Sequence, residues 1–287
     1  IVYIPQRFFK ENADEGWRLA CQEAVNIVKD IASLADKHLG YKVTDLFIDA
    51  QGVTTGLNEV FILSEDELSR LAKEEKIELR NEPLLFRCLS GREVHPWRIE
   101  WRRRWIIVPY IKEENRWKLA FRIMHNNNTE VDALDLSKSI DDREKDMSEE
   151  GKLNYRVASG YIRYPNTARY LFRFYGKLRN RIFEGKRIEE YAGAWYAYHR
   201  IRDLDILTSR PKIVTPRLCD RPSFAIDNEG YLPLDSIIAM VPSGKFNEIK
   251  KEIHSIFHAK DEATRNTLLY ILAFLNSKVV HFILSLG

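Results

Sequence analysis

Three kinds of side chain could do chemistry here: small polar groups in a glycine-bounded loop, arginines interleaved with tryptophans, and scattered acids and thiols. The loop is residues 52–63, GVTTGLNEVFIL. Gly52 and Gly56 can take the positive φ angles that other residues avoid, and Thr54, Thr55 and Asn58 offer hydroxyl and amide groups beside them. Val60, Phe61, Ile62 and Leu63 then read as a buried strand. A tight polar turn on a stiff strand is suited to touching phosphates or base edges. The same residues also serve as a simple capped turn leading into a strand.

The basic residues cluster although the net charge is only +3. Arg98, Arg102, Arg103 and Arg104 alternate with Trp101 and Trp105, with Arg92 upstream and Arg116, Trp117, Lys118 and Arg122 beyond. A second set, Arg169, Arg173 and Lys177, followed by Arg179, Arg181, Lys186 and Arg187, lies on a helix expected after Pro165. Residues four apart share a helical face, so Arg169, Arg173 and Lys177 form a row of like charge that an anionic partner relieves. Interleaved Arg and Trp suit phosphate contact and base stacking. The bland alternative is that these arginines lie over apolar surface and pair with Glu93, Glu100 and Asp203.

Catalytic machinery is not recognisable. There is no nucleophile elbow, no phosphate-cradling Gly-Lys loop and no dinucleotide fingerprint. Asp220-Arg221-Pro222-Ser223-Phe224 has one proline and does not make the acidic-Pro-Pro-aromatic tetrapeptide of adenine methyltransferases. Glu189-Glu190 and Glu113-Glu114 have no neighbour that would tune a carboxyl for proton transfer. His254 and His258 are four apart, but no further ligands complete a metal site. Cys21, Cys88 and Cys219 are far apart and odd in number, which fits free thiols in a reducing, cytoplasmic setting.

With 287 residues, 45% hydrophobic and 30% charged, the chain reads as an ordinary globular protein of one large or two smaller domains. Its start, IVYIPQRFF, has neither a leader pattern nor a methionine, which suggests a piece of a longer polypeptide. The apolar stretch near the end is interrupted by Asn276, Ser277 and Lys278, so it falls short of the roughly 20 residues a membrane span needs.

The elements expected to position these residues are α+β. Apolar spacing predicts a connector helix within 1–40, stopped at Gly40. Ser64 to Glu67 form a capping box that opens a helix through about Glu75. LLFRCL, WIIVPYI, WKLAFRIM and TEVDALDL read as strands, the last two separated by an Asn126-Asn127-Asn128 turn. The acidic run 141–150 reads as a solvated loop or helix start, and one helix is expected from Tyr164-Pro165 to near Phe183. KIVTP, SFAID and IIAMVP are strands, with a turn at Asp227 to Gly230, before a helical segment over 246–287.

Taken in order, these segments resemble the C-terminal specificity domain of TaqI-like and Eco57I-like adenine-N6 DNA methyltransferases and fused type II restriction–modification enzymes. The likeness runs from Asp45-Leu46-Phe47-Ile48 and GVTTGLNEVFIL through LLFRCLSGREV, WIIVPYI and YPNTARYLFRFYGKLRNR. It continues through Trp195-Tyr196 with Arg200, PKIVTPRL, SFAIDNEGYLPLDSIIAMVP and LLYILAFLNSKVV, and so covers most of the chain from about residue 40. The family often has Lys-Pro where this chain has Phe86-Arg87.

The resemblance implies a twisted β-rich target-recognition domain over 41–245, joined by the connector helix to a methyltransferase domain of the same parent chain and closed by the C-terminal helices. That absent domain would hold S-adenosylmethionine and the catalytic tetrapeptide, so no cofactor is expected in this piece. This domain would grip double-stranded DNA while the target adenine is flipped from the stack. The resemblance and the chemistry together nominate Thr54, Thr55, Asn58, Arg92, Arg102, Arg103, Arg104, Arg169, Arg173, Lys177, Lys212 and Arg217 as DNA-facing. Two other readings stand beside it: a protein-interaction or non-specific DNA-binding module of a phage-defence assembly, and a free-standing enzyme with an unfamiliar site.

Overall fold

The computed structural model describes residues 43–124, 129–246 and 263–278. The expected connector helix, the Asn126-Asn127-Asn128 turn, Cys21, His254 and His258 lie outside these residues.

Among the described residues a helical turn at Val43–Leu46 leads into strand β1 (Phe47–Gln51), followed by a single helical turn α1 (Asn58–Phe61), β2 (Ile62–Ser64) and helix α2 (Glu65–Glu75). Then come β3 (Leu85–Leu89), β4 (Val94–His95), β5 (Arg98–Ile99), β6 (Arg104–Ile107), β7 (Tyr110–Glu113), β8 (Arg116–Leu119), β9 (Arg122–Met124) and β10 (Glu130–Asp132). Helices α3 (Glu149–Ala158), α4 (Pro165–Phe172) and α5 (Tyr175–Arg179) follow, with the small hairpin β11 (Ile182–Phe183) and β12 (Lys186–Arg187). Strands β13 (Lys212–Pro216), β14 (Ala225–Asp227), β15 (Leu232–Pro233) and β16 (Ile237–Pro242) precede helix α6 (Ala263–Leu275). The architecture is α+β, as the sequence pattern implies.

Two four-stranded sheets form the frame. One runs β1–β16–β13–β14, antiparallel throughout; Ile213 pairs with Met240 and Ile226, and Val214 with Ala239 and Ala225. The other runs β15–β3–β6–β2 and is parallel only between β15 and β3. Every residue of β13 is buried because this strand is covered on both faces. Val214 joins the main core with Val60, Phe61 and Leu89, whereas Ile213 joins a second core with Phe47, Met240 and Phe246.

Helix α6 supplies the other side of that second core through Leu268, Ile271, Leu272 and Leu275, an i, i+3, i+4, i+7 stripe. Asn276 ends it by clasping the backbone before β14: its Oδ1 accepts from Phe224 N at 3.0 Å and its Nδ2 donates to Phe224 O at 2.9 Å. Among the described residues no helix is long and apolar enough to cross a membrane.

The capping box forms as expected, with Glu67 N donating to Ser64 Oγ at 3.2 Å and Ser64 N to Glu67 Oε2 at 2.7 Å. Three expectations need correction. The apolar run after Asn58 begins as the helical turn α1, and only Ile62 to Ser64 are extended. The expected single helix to Phe183 is two helices and a hairpin. It breaks where Phe174 packs on Tyr170 (5.3 Å between rings) and Tyr175 on Trp195 (4.9 Å), beside Gly176, a weak helix former. The acidic run is not wholly solvated either: Glu144 is fully buried and paired with the buried Arg156 at 2.6 Å.

Helix α4 starts at Pro165 and has a remote cap. The Glu82 carboxylate accepts from Asn166 N at 2.7 Å and from Thr167 N at 2.9 Å. A negative charge at a helix N-terminus satisfies its free N–H groups and opposes the helix dipole favourably.

Candidate nucleic-acid interface

The glycine loop is bolted in place by backbone contacts. Gly52 N donates to Ile237 O and Val53 N to Pro233 O, while Thr54 and Arg200 exchange a reciprocal pair of backbone bonds at 3.0 Å. A Cβ on Gly52 would overlap the carbonyl of Leu234, and one on Gly56, at φ +78, would overlap the His199 ring. These glycines are therefore required by close approach and by backbone conformation.

Thr55 is turned inward. Its hydroxyl donates to Asn58 Oδ1 at 2.6 Å and accepts from Leu57 N at 3.1 Å, which starts the turn of α1. The loop's carbonyl at Thr55 is gripped from below by Arg181, 2.6 Å away. Arg181 also donates to the carbonyls of Leu178 (2.9 Å), Trp195 (2.9 Å) and Ala197 (2.7 Å). This guanidinium is buried with no carboxylate beside it; burial lowers its pKa to about 10, so it stays charged at neutral pH.

Asn58, unlike Thr55, is exposed and lines an open cleft of about 1180 Å³. The turn Ser90–Arg92, the segment Pro216–Arg221 and the turn Leu234–Ser236 meet there. The last of these ties the other two together: Gly91 N donates to Ser236 Oγ at 3.0 Å and Arg217 N to Ser236 O at 2.9 Å. Arg92, Arg217 and Arg221 are all exposed, and none of their side chains has an ion-pair partner among the described residues. Asp220 and Asp235 share the cleft with them.

Arg104 also reaches the cleft but is committed to Glu93, which has no exposed surface. Burial raises the Glu93 pKa, yet the N–H groups of Ser90 and Arg102 and the Arg104 guanidinium more than offset it, so the carboxyl titrates below its usual range. This network fixes the Ser90–Arg92 turn. Arg102 contributes its backbone N–H to Glu93 at 2.8 Å and leaves its side chain in solvent, and Arg103 is exposed at φ +54.

The structure thus brings together Asn58, Arg92, Arg104 and Arg217 from the sequence-derived set and redirects several others. Lys212 is completely buried, paired with Asp227 at 2.6 Å and donating to Ser209 O at 3.0 Å, so it cannot face DNA in this fold. Thr55 is withdrawn into the loop, and Thr54 is half-buried with its backbone paired. The basic row does not form: Arg173 follows the end of α4 and pairs with Glu75, while Lys177 lies on α5 and pairs with Glu59 at 3.0 Å. Arg169 is exposed but does not line the cleft.

Sequence reasoning missed Arg221, which sits in the segment set aside as an imperfect tetrapeptide, and His95 and Pro96 at the cleft rim. The spacing of Arg217 and Arg221 around an exposed loop was the available signal. Among the described residues no cluster of histidine, cysteine and acid side chains could hold a metal ion. No model of a known protein family matches the chain, and comparison with curated proteins gives no match either.

Proposed function

We propose that this chain is the duplex-DNA recognition module of a restriction–modification adenine-N6 methyltransferase. One observation carries the reading: Arg92 and, from a distant part of the sequence, the loop residues Arg217 and Arg221 meet Asn58 on one cleft as cations without ion-pair partners among the described residues. The three arginines outnumber Asp220 and Asp235 in the same cleft, and net positive charge in a concave surface draws in a polyanion. Arginine contacts to phosphate would set register and most of the salt-dependent affinity. Arg and Asn side chains also match guanine and adenine edges, and Asp220 and Asp235 could accept from the cytosine amino group. S-adenosylmethionine and the methyl-transfer step would belong to a separate domain.

The test is selection of bound sequences from a pool of random duplexes by the purified chain. Enrichment of one short motif supports the reading. Duplex binding with no preferred sequence points instead to a non-specific DNA-binding module, and no binding at low salt refutes the proposal.

A further inference from the structure

Next to the rim of the cleft stands an exposed aromatic residue in a strained backbone conformation. His95 and Pro96 line the cleft, and Pro96-Trp97 is the two-residue turn of the β4–β5 hairpin, in which His95 pairs with Arg98. Trp97 has φ +75 directly after a proline, which is the pattern of a type II turn. That position calls for glycine or asparagine, and a bulky L side chain there is strained. Trp97 is 54% exposed, more than any other described tryptophan.

The other described tryptophans behave differently. Trp101 donates its indole N–H to Cys88 O, Trp105 to Glu65, Trp117 to Asp205 and Trp195 to Leu134 O. Among the described residues the Trp97 indole has no hydrogen-bond or ring partner. The backbone of its turn is nevertheless tied down. Its backbone N–H donates to Phe224 O at 2.9 Å, and Glu100 clamps the hairpin arms through Arg98 at 2.7 Å and His95 at 3.3 Å. Backbone strain retained under an exposed aromatic points to function rather than to folding.

We propose that Trp97 is a stacking residue, which lays its indole on a nucleobase unstacked from the duplex at the cleft rim. This rests on the DNA-recognition reading. An aromatic face suits any base because every base presents a π-surface, and a tryptophan has only two side-chain torsions to lose on binding.

The experiment compares the whole chain with W97G and W97F variants on two probes: a matched duplex, and the same duplex with one unpaired 2-aminopurine. Wild type is expected to bind the unpaired probe more tightly and to quench its fluorescence. W97G should lose about five- to hundredfold in affinity for that probe, corresponding to about 1–3 kcal/mol. Its salt slope should be unchanged, since indole carries no charge, and its Tm should be equal or higher because the turn is relaxed. W97F should retain most of the affinity. W97G binding as well as wild type, or a W97G protein with a clearly lower Tm, overturns the role of Trp97 while leaving DNA recognition intact. Wild type ignoring both duplexes overturns the underlying reading as well.

Discussion

Replacing Arg181 by methionine should destabilise the protein by about 3–5 kcal/mol, because each buried carbonyl left without a donor costs about 1–3 kcal/mol and removing the buried cation returns only part of that. The guanidinium donates to four carbonyls, those of Thr55, Leu178, Trp195 and Ala197. Bonds from a charged donor contribute about 1.5–3 kcal/mol each, though not additively. Against them stands the burial of a cation with no carboxylate partner. The fall in pKa from 12.5 to about 10 corresponds to an opposing cost on the order of 3 kcal/mol at 1.36 kcal/mol per unit. The bonds win. Methionine fills much of the space, keeps water out and leaves the carbonyls without donors. Arg181→Lys, with three donors and no planar fork, should fall between the two. Urea unfolding followed by tryptophan fluorescence measures the difference. An Arg181→Met protein within about 1 kcal/mol of wild type would refute the idea that this cation pins the glycine loop.

Asp132 makes stability depend on pH. Burial raises its pKa to about 7, although the Leu134 N–H and the Tyr196 hydroxyl favour the ionised form. The folded state therefore keeps a proton that the unfolded chain releases above about 4. Asp132 stabilises most below that pH, its contribution fades as pH rises towards 7, and it is flat above. Relative to Asp132→Asn, wild type should lose on the order of 3 kcal/mol between pH 4 and pH 8; parallel curves for the two proteins would contradict this. Arg104→Ala should cost about 2–4 kcal/mol because it strands the buried Glu93 carboxylate. Arg103→Ala, at an exposed position with no direct ion pair among the described residues, should change stability by less than about 0.5 kcal/mol in the same urea assay.

Elements whose cause is local were legible in the sequence. The Ser64 capping box, the strands around Arg87, Ile106 and Val214, and the Asp227 turn all follow from short-range pattern and formed where expected. Failures came where distant residues decide. Lys212 reads as a basic residue beside a strand, and only the fold reveals Asp227 across the ladder neutralising it. Arg173 and Lys177 looked like one stripe because the spacing of four hides a helix break set by aromatic packing with Trp195. Arg181 looked like one more member of a basic cluster, yet it is the buried anchor of the loop. For the candidate site, the loop glycines, Arg92 and Arg217 were readable, but their convergence with Arg221 through the Ser236 turn was not.

The most direct measurement is the salt dependence of duplex DNA binding by wild type and by the variant Arg92→Ala, Arg217→Ala, Arg221→Ala. Each lost phosphate contact should remove about 0.9 from the slope of log affinity against log salt. The account predicts a steep linear slope for wild type and one shallower by about 2.7 for the triple variant, with Tm preserved because all three side chains are exposed. Equal slopes for the two proteins, or no duplex binding by wild type at low salt, would contradict it.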